Sequence, residues 1–281
     1  GWDFMNIWGI VEDSLYPYLS WRYIVPDVTG KEPATAEDEI ILEGFQIGMI
    51  DYQCDVLETN GKVISQSPSG GSRVTPNSTV NIVVSVICIN SIEELQKIGN
   101  DPNYPSDANY ILEHDIDASD TINWNDGMGF IPLCSSDNGF TGKFNGNNYK
   151  ITNLYINRYK YEGGYSYSGL FLKVGSGGEI QNVYIENAWV TGDEGVGGLV
   201  GYNQGRITKS KLKGAVIGRN YVGGLVGINI SDVELCNTEG SASGYIYIGG
   251  LVGSNSGVIS QCYSTDLVVG GGYRIGGIAG S

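Results

Sequence analysis

Val196-Gly-Gly-Leu-Val-Gly201 returns as Val222-Gly-Gly-Leu-Val-Gly227, then as Ile248-Gly-Gly-Leu-Val-Gly253, then as Ile275-Gly-Gly-Ile-Ala-Gly280. The first glycines, Gly197, Gly223, Gly249 and Gly276, are spaced by 26, 26 and 27 residues. Self-similarity at such a period marks a stacked, quasi-one-dimensional architecture. The copies are separated by short β-rich runs broken by Gly, Asn and Ser: Arg206-Ile-Thr-Lys-Ser-Lys-Leu-Lys213, Asp232-Val-Glu-Leu-Cys236 and Val258-Ile-Ser-Gln-Cys-Tyr263. None shows the i, i+3, i+4, i+7 spacing of a helix. A parallel β-solenoid is therefore expected, not a helical repeat.

Equal offsets extend this reading. Ser210, Cys236 and Cys262 share one phase of the period; Ile207, Val233 and Ile259 share a second; Leu199, Leu225, Leu251 and Ile278 share a third. Residues of one phase should stack about 4.8 Å apart, the spacing of paired strands. Small and aliphatic side chains would fill a narrow interior, and the glycines would let the backbone bend where a side chain would clash. One period then makes one coil of about three short strands.

The (Val/Ile)-Gly-Gly-Leu-Val-Gly-x-Asn-x-Gly pattern resembles the GLUG repeat of bacterial and archaeal surface proteins, which include adhesins and the non-catalytic part of IgA-protease-like proteins. The resemblance covers residues 89–281. Ser168-Gly-Leu-Phe171 reads as an irregular earlier coil, and Phe140-Thr-Gly-Lys-Phe-Asn-Gly-Asn-Asn-Tyr-Lys-Ile-Thr-Asn-Leu-Tyr-Ile156 is similar to the entry segment of such solenoids. It implies a right-handed parallel β-helix, open at its C-terminal end.

Residues 25–88 read as a different unit. Val25-Pro-Asp-Val28 is followed by a predicted helix over 33–43 with Ala34, Ala36, Ile40 and Ile41 on its apolar face, stopped by Gly44. Val63-Ile-Ser-Gln-Ser-Pro68 and the run Thr79-Val-Asn-Ile-Val-Val-Ser-Val86 complete it. These residues resemble a PASTA domain, a small β-α-β-β module. Some members bind peptidoglycan stem peptides or β-lactams and many are spacers; the spacer role is the expectation here.

Residues 1–24 contain Trp2, Phe4, Trp8, Tyr16 and Tyr18. They resemble the segment that closes GLUG solenoids, yet they come first. Two explanations stay open: excision from a longer tandem protein, or a head-to-tail fibre in which these side chains dock on the open coil end at Ile275 and Ile278. An uncovered coil end calls for a cover. The expected partners are therefore copies of the chain end to end, or flanking repeats of one polypeptide.

Between the two units, Ser91 with Glu94 forms a capping box for a short helix that would cap the solenoid. Asn109-Tyr-Ile-Leu-Glu-His-Asp-Ile116 alternates as an entry strand containing the only histidine, His114. Asp- and Asn-rich loops at 100–107 and 115–126 could hold Ca²⁺, but they lack EF-hand spacing and read better as solvated turns, so no cofactor is assigned.

Composition narrows the function. The 281 residues hold 43 glycines, and 31 acids against 16 bases give a net charge of −15, which repels nucleic acid and anionic membranes. No run of 18 apolar residues could span a membrane. No leader is legible at the start, as in a mature or excised piece of an exported protein. Five cysteines are too few and too scattered for a disulfide scaffold. Cys236 and Cys262 alone share a phase, and read as stacked thiols.

The inventory argues against an enzyme. One histidine within a strand builds no Ser-His-Asp or Cys-His set, and no His-Glu-x-x-His is present. A polysaccharide lyase or glycosidase needs clustered carboxylates on the coil wall; Asp232, Glu234, Glu239 and Asp266 do not share one phase. Lys209, Lys211 and Lys213 alternate, which predicts an outward basic stripe that an anionic glycan or a neighbouring copy could meet. A solvated face is the plainer alternative. Tyr155, Tyr159, Tyr161, Tyr165 and Tyr167 crowd one segment, as a sugar platform or an interface would require. The reading favoured is an extracellular structural or adhesive repeat protein at the cell surface. A cell-wall (peptidoglycan) or glycan-binding module is second.

Overall fold

The computed structural model describes residues 8–9, 18–19, 23–54, 60–135, 137–158 and 167–281. It divides into two compact units, Gly1–Ile87 and Cys88–Ser281.

In the first unit, the helix Pro33–Leu42 packs Ala36 and Ile40 into a core with Val25, Val28, Phe45, Val63, Val80, Ile82 and Val84. Only this i, i+4 pair is buried. Ala34 and Ile41, placed on the same face by the sequence reading, are exposed, because the helix meets the sheet along a single line. Gly44 ends the helix in the left-handed conformation at φ +84°. Strand Gln46–Cys54 runs parallel to Thr79–Ile89, which also pairs antiparallel with Val63–Ser67. This is the expected order of helix and strands. The backbone at Trp8–Gly9 pairs antiparallel with Tyr18–Leu19. Trp2, Phe4 and Tyr16, with the side chains of Trp8 and Tyr18, lie outside the described residues.

The second unit is a parallel β-solenoid of about 7 turns. A regular coil consists of Glu194–Gly197, Val200–Asn203, Arg206–Thr208 and Lys211–Ile217. Each strand pairs in parallel with its counterpart 26 residues on. The coil therefore has four faces, not three. The sequence reading missed one because two strands, Glu194–Gly197 and Val200–Asn203, fall within and just after a single glycine-rich copy.

The phases stack as the repeat predicts. Leu199 N–H donates to the Leu225 carbonyl at 3.0 Å, Leu225 to Leu251 at 2.9 Å, and Leu251 to Ile278 at 3.0 Å. Ile207, Val233 and Ile259 are register partners, and Phe171 precedes Val200, Val226 and Val252 in another column. The interior narrows along the axis. Tyr110 and Phe144 occupy the column continued by Ile180, Ile207 and Val233. Phe171 packs 5.1 Å from Phe140 and 5.4 Å from Phe144.

The glycine-rich corners bring coils into backbone contact. A Cβ at Gly250 would lie 2.2 Å from Ser264 Oγ and 2.3 Å from the Gly277 carbonyl oxygen. The last period, longer by one residue, keeps register at Gly244↔Gly270 and regains it at Ile248↔Ile275. The additional residue is absorbed in the corner 271–274.

Helix Ile92–Lys97 forms the expected capping box in a shifted version: Ser91 Oγ accepts from Glu94 N–H, while Glu94 Oε2 accepts from Asn90, one residue before the cap. The entry strand breaks in two, Asn109–Leu112 and Ile116–Asp117. His114 is not within a strand but exposed in the corner between them, its Nδ1 3.0 Å from the Asp115 carbonyl. Cys54 and Cys88 are disulfide-bonded, a pairing their spacing did not announce, while Cys134, Cys236 and Cys262 are free thiols.

Candidate interaction surface

Two surfaces of the solenoid collect the residues singled out from sequence. The first is the face built from Lys150–Thr152, Tyr184–Thr191, Lys211–Ile217 and Asn237–Gly244. All three lysines of the expected stripe are exposed, but they do not share one strand. Lys211 and Lys213 point outward from one strand, but Lys209 sits in the preceding corner at φ +49°. That corner forms a column with Asn182, Leu235 and Gln261, all left-handed. The alternation of Lys209, Lys211 and Lys213 was read as one strand because lysine carries no turn signal.

The remaining lysines are matched. Lys213 Nζ meets Glu239 at 2.6 Å on the next coil, and Lys150 meets Glu186 at 3.1 Å. Glu186, Lys213 and Glu239 form one column of alternating sign, which Lys150 reaches diagonally from the column of Tyr184 and Lys211. The hydrogen bond to Glu239, helped by its charge and that of Glu186, holds the Lys213 ammonium above its usual pKa. Lys211 lies over the Tyr184 ring, 4.8 Å from its centre. On the neighbouring face Lys143 meets Glu179 at 3.3 Å and Arg206 meets Glu234 at 2.8 Å. Exposed pairs of this kind are screened by water and contribute little to stability; their main effect is to favour one register between coils. Together Lys150, Tyr184, Glu186, Lys211, Lys213 and Glu239 line a shallow depression of about 310 Å³.

The tyrosines divide. Tyr159, Tyr161 and Tyr165 lie outside the described residues. Tyr167 stacks on Tyr202 at 5.1 Å. A second pair, Tyr221 and Tyr247, stacks at 4.7 Å, with the Arg274 guanidinium 4.8 Å from the Tyr247 ring centre.

The second surface is the last coil. Ile278 continues the Leu199–Leu225–Leu251 column and Ile275 the Val196–Val222–Ile248 column. Where their predecessors are buried, Ile278 is 37% exposed and Ile275 43%. Val258, Tyr263, Leu267 and Val269 are exposed on the same coil.

A feature the sequence reading overlooked is a buried asparagine ladder. Asn203 Nδ2 donates to Asn229 Oδ1 at 2.7 Å, and Asn229 Nδ2 to Asn255 Oδ1 at 2.8 Å. Each amide also donates to the carbonyl two residues on, at Gly205, Ser231 and Gly257. Their 26-residue spacing was the available signal. Ser210, Cys236 and Cys262 form a parallel column: Ser210 N–H donates to Cys236 Sγ at 3.4 Å and Cys236 N–H to Cys262 Sγ at 3.3 Å. Both thiols stay free and stack as the sequence reading expected, Cys236 buried but Cys262 only half-buried.

Three of the aspartates considered for Ca²⁺ accept hydrogen bonds, from their own turns or from the next coil. Asp101 accepts from Asn103 N–H, Asp115 from Lys150 N–H, and Asp117 from Ser119 and Asn153. The hydrogen bonds from Asn153 and Ser119 hold the Asp117 carboxyl below its usual pKa.

Comparison with known proteins follows this geometry. Residues 23–86 match the PASTA domain and residues 192–217 the GLUG motif. The chain is 39% identical over 135 residues to halomucin of Haloquadratum walsbyi, an alignment covering 47% of this chain and 1% of that protein. It is 33% identical over 120 residues to a protein of Evansella cellulosilytica provisionally described as a Gly-rich membrane protein, covering 41% of this chain and 13% of the other. The chain thus spans a small part of the length of these relatives. Among solved structures, a Bacteroides ovatus protein provisionally described as an immunoglobulin A1 protease superposes with a TM-score of 0.57 at 22% identity. That superposition covers 69% of this chain and 61% of the other, and shows the fold alone. The chain carries a PASTA domain and GLUG repeats on a parallel β-solenoid. Among the described residues no helix is long and apolar enough to cross a membrane.

Proposed function

We propose that this chain is a segment of an extracellular structural repeat protein at the cell surface, with the PASTA domain as spacer and the solenoid as stiff stalk and adhesive surface. The observation that carries this reading is the continuity of four in-register sheets from coil to coil. Such a stack resists bending and extension, because any displacement strains many backbone hydrogen bonds together. The disulfide fits an oxidising compartment, and halomucin is a relative of mucin-like name. Two of the acids on the regular coils, Glu234 and Glu239, are engaged by Arg206 and Lys213, which leaves them poorly suited to glycoside chemistry.

The last coil would take either another copy of the chain or a flanking coil of the same polypeptide. Sedimentation over a range of concentrations tests the first. End-to-end association should appear for the native chain and disappear in Ile278→Glu. A chain that stays monomeric at millimolar concentration removes self-assembly through this face. The second reading, a cell-wall or glycan-binding module, draws on the depression beside Tyr184 and Lys211. A glycan array that retains the native chain but not Lys211→Glu would favour it.

A further inference from the structure

The triplet Asn-x-Ser/Thr occurs twice in the sequence, at Asn77-Ser-Thr79 and at Asn229-Ile-Ser231. It is the acceptor signal for N-linked glycosylation, and acceptance by a folded protein requires an exposed, turned segment. The two copies differ completely in that respect.

Asn229 is the central rung of the buried ladder. Its amide nitrogen donates to Asn255 Oδ1 and to the Ser231 carbonyl, both at 2.8 Å, and its oxygen accepts from Asn203 at 2.7 Å. Both amide protons are committed, and the side chain is closed from solvent. A glycan there would have to displace the next coil.

Asn77 stands in a turn of the PASTA unit, between Val74 and the strand Thr79–Ile89. Ser78 N–H donates to the Thr75 carbonyl at 3.3 Å across Pro76 and Asn77. Proline second and a left-handed residue third, here Asn77 at φ +58°, is the arrangement of a type II turn. Asn77 and Thr79 are both exposed. The Ser78 hydroxyl closes the turn on the Thr75 carbonyl at 2.8 Å, so the Thr79 hydroxyl is not the group that holds the turn together.

We propose that Asn77 is a glycan attachment site and that Asn229 is silent in the folded chain. The co-reactant is a lipid-pyrophosphate-linked oligosaccharide. A bond forms between Asn77 Nδ2 and the anomeric carbon of the sugar. The bond from that carbon to the pyrophosphate oxygen breaks, the lipid pyrophosphate leaves with the electron pair, and Nδ2 gives up a proton. The proposal rests on export of the chain, since this chemistry takes place outside the cytoplasm; the test below is made on purified protein, so failure of the export reading would show separately, as wrong localisation.

The folded chain is incubated with a lipid-pyrophosphate-linked oligosaccharide and a purified oligosaccharyltransferase chosen because it modifies a free peptide of residues 72–82. Intact-mass and peptide mass spectrometry read the products. The expected result is one oligosaccharide per chain, at Asn77. Asn77→Gln and Thr79→Ala should abolish it, and Thr79→Ser should retain it. Denaturing the chain first should raise the count to two, adding Asn229. A folded chain left unmodified while the peptide is modified would overturn the proposal, as would addition at Asn229 in the folded chain.

Discussion

Asp266 is the residue at which this solenoid departs furthest from an apolar interior. Its Oδ2 lies 2.3 Å from where a Cβ on Gly224 would stand, so the carboxylate points into the coil below. Both oxygens are closed from solvent, and the nearby Thr238 and Ser264 hydroxyls offset the loss of water only in part. Burial pushes the carboxyl up to about 6 from an ordinary 3.8. The folded state therefore binds a proton more tightly than the unfolded one, and its stability falls as pH rises from about 4 through about 6. Asp266→Asn should raise the urea midpoint at pH 7.5 and leave it unchanged below pH ~4, where the native side chain is protonated in both states. A midpoint gain that is the same at both pH values would contradict the titration argument. Leu235 is the second liability. It holds φ +56° in a column whose first member is Asn182. Leucine in the left-handed region costs roughly 1–2 kcal/mol and asparagine less, so Leu235→Asn should stabilise the chain by about 1 kcal/mol in urea unfolding.

The glycine-rich corner shows why the element matters more than the residue type. Gly250 and Gly277 occupy the same position in successive copies. A Cβ on Gly250 would meet Ser264 Oγ and the Gly277 carbonyl, whereas one on Gly277 would meet nothing within 4 Å. Gly250→Ala should cost about 3 kcal/mol, the upper range for overpacking a closed site. Gly277→Ala should be nearly neutral. Equal costs in thermal unfolding would mean that glycine serves backbone flexibility and not coil contact. The asparagine ladder offers a matching test. Asn229→Ala leaves Asn203 Nδ2 and Asn255 Oδ1 without their partner across the coils and should cost about 3 kcal/mol.

Much of this was legible beforehand. The interior columns followed from equal offsets, because a solenoid turns sequence period directly into spatial register. The number of faces did not follow, since a glycine-rich copy hides a corner between two strands. Nor did the place of Lys209, whose left-handed backbone is imposed by neighbours stacked above and below it. The charge matching was also hidden, because Lys213 and Glu239 belong to different coils and their pairing needs the register first.

The whole solenoid is graded. Aromatic rings fill its early coils, aliphatic side chains its middle, and Thr238, Ser264 and Asp266 its last turns. Local opening free energies follow buried apolar contact. Native-state hydrogen exchange should find the amides of Phe144, Phe171, Leu199 and Leu225 the slowest, and those between Val258 and Ile275 faster by orders of magnitude. Uniform protection along the axis would mean that the coils melt as one unit.

The longer final period has a further use. One additional residue enters the corner at 271–274, and the flanking pairs Gly244↔Gly270 and Ile248↔Ile275 remain aligned. Growth at that corner is thus uncoupled from the winding of the rod. A peptide epitope grafted after Gly272 would stand clear of the wall without changing the pitch, which makes this vertex a natural port for displaying foreign cargo.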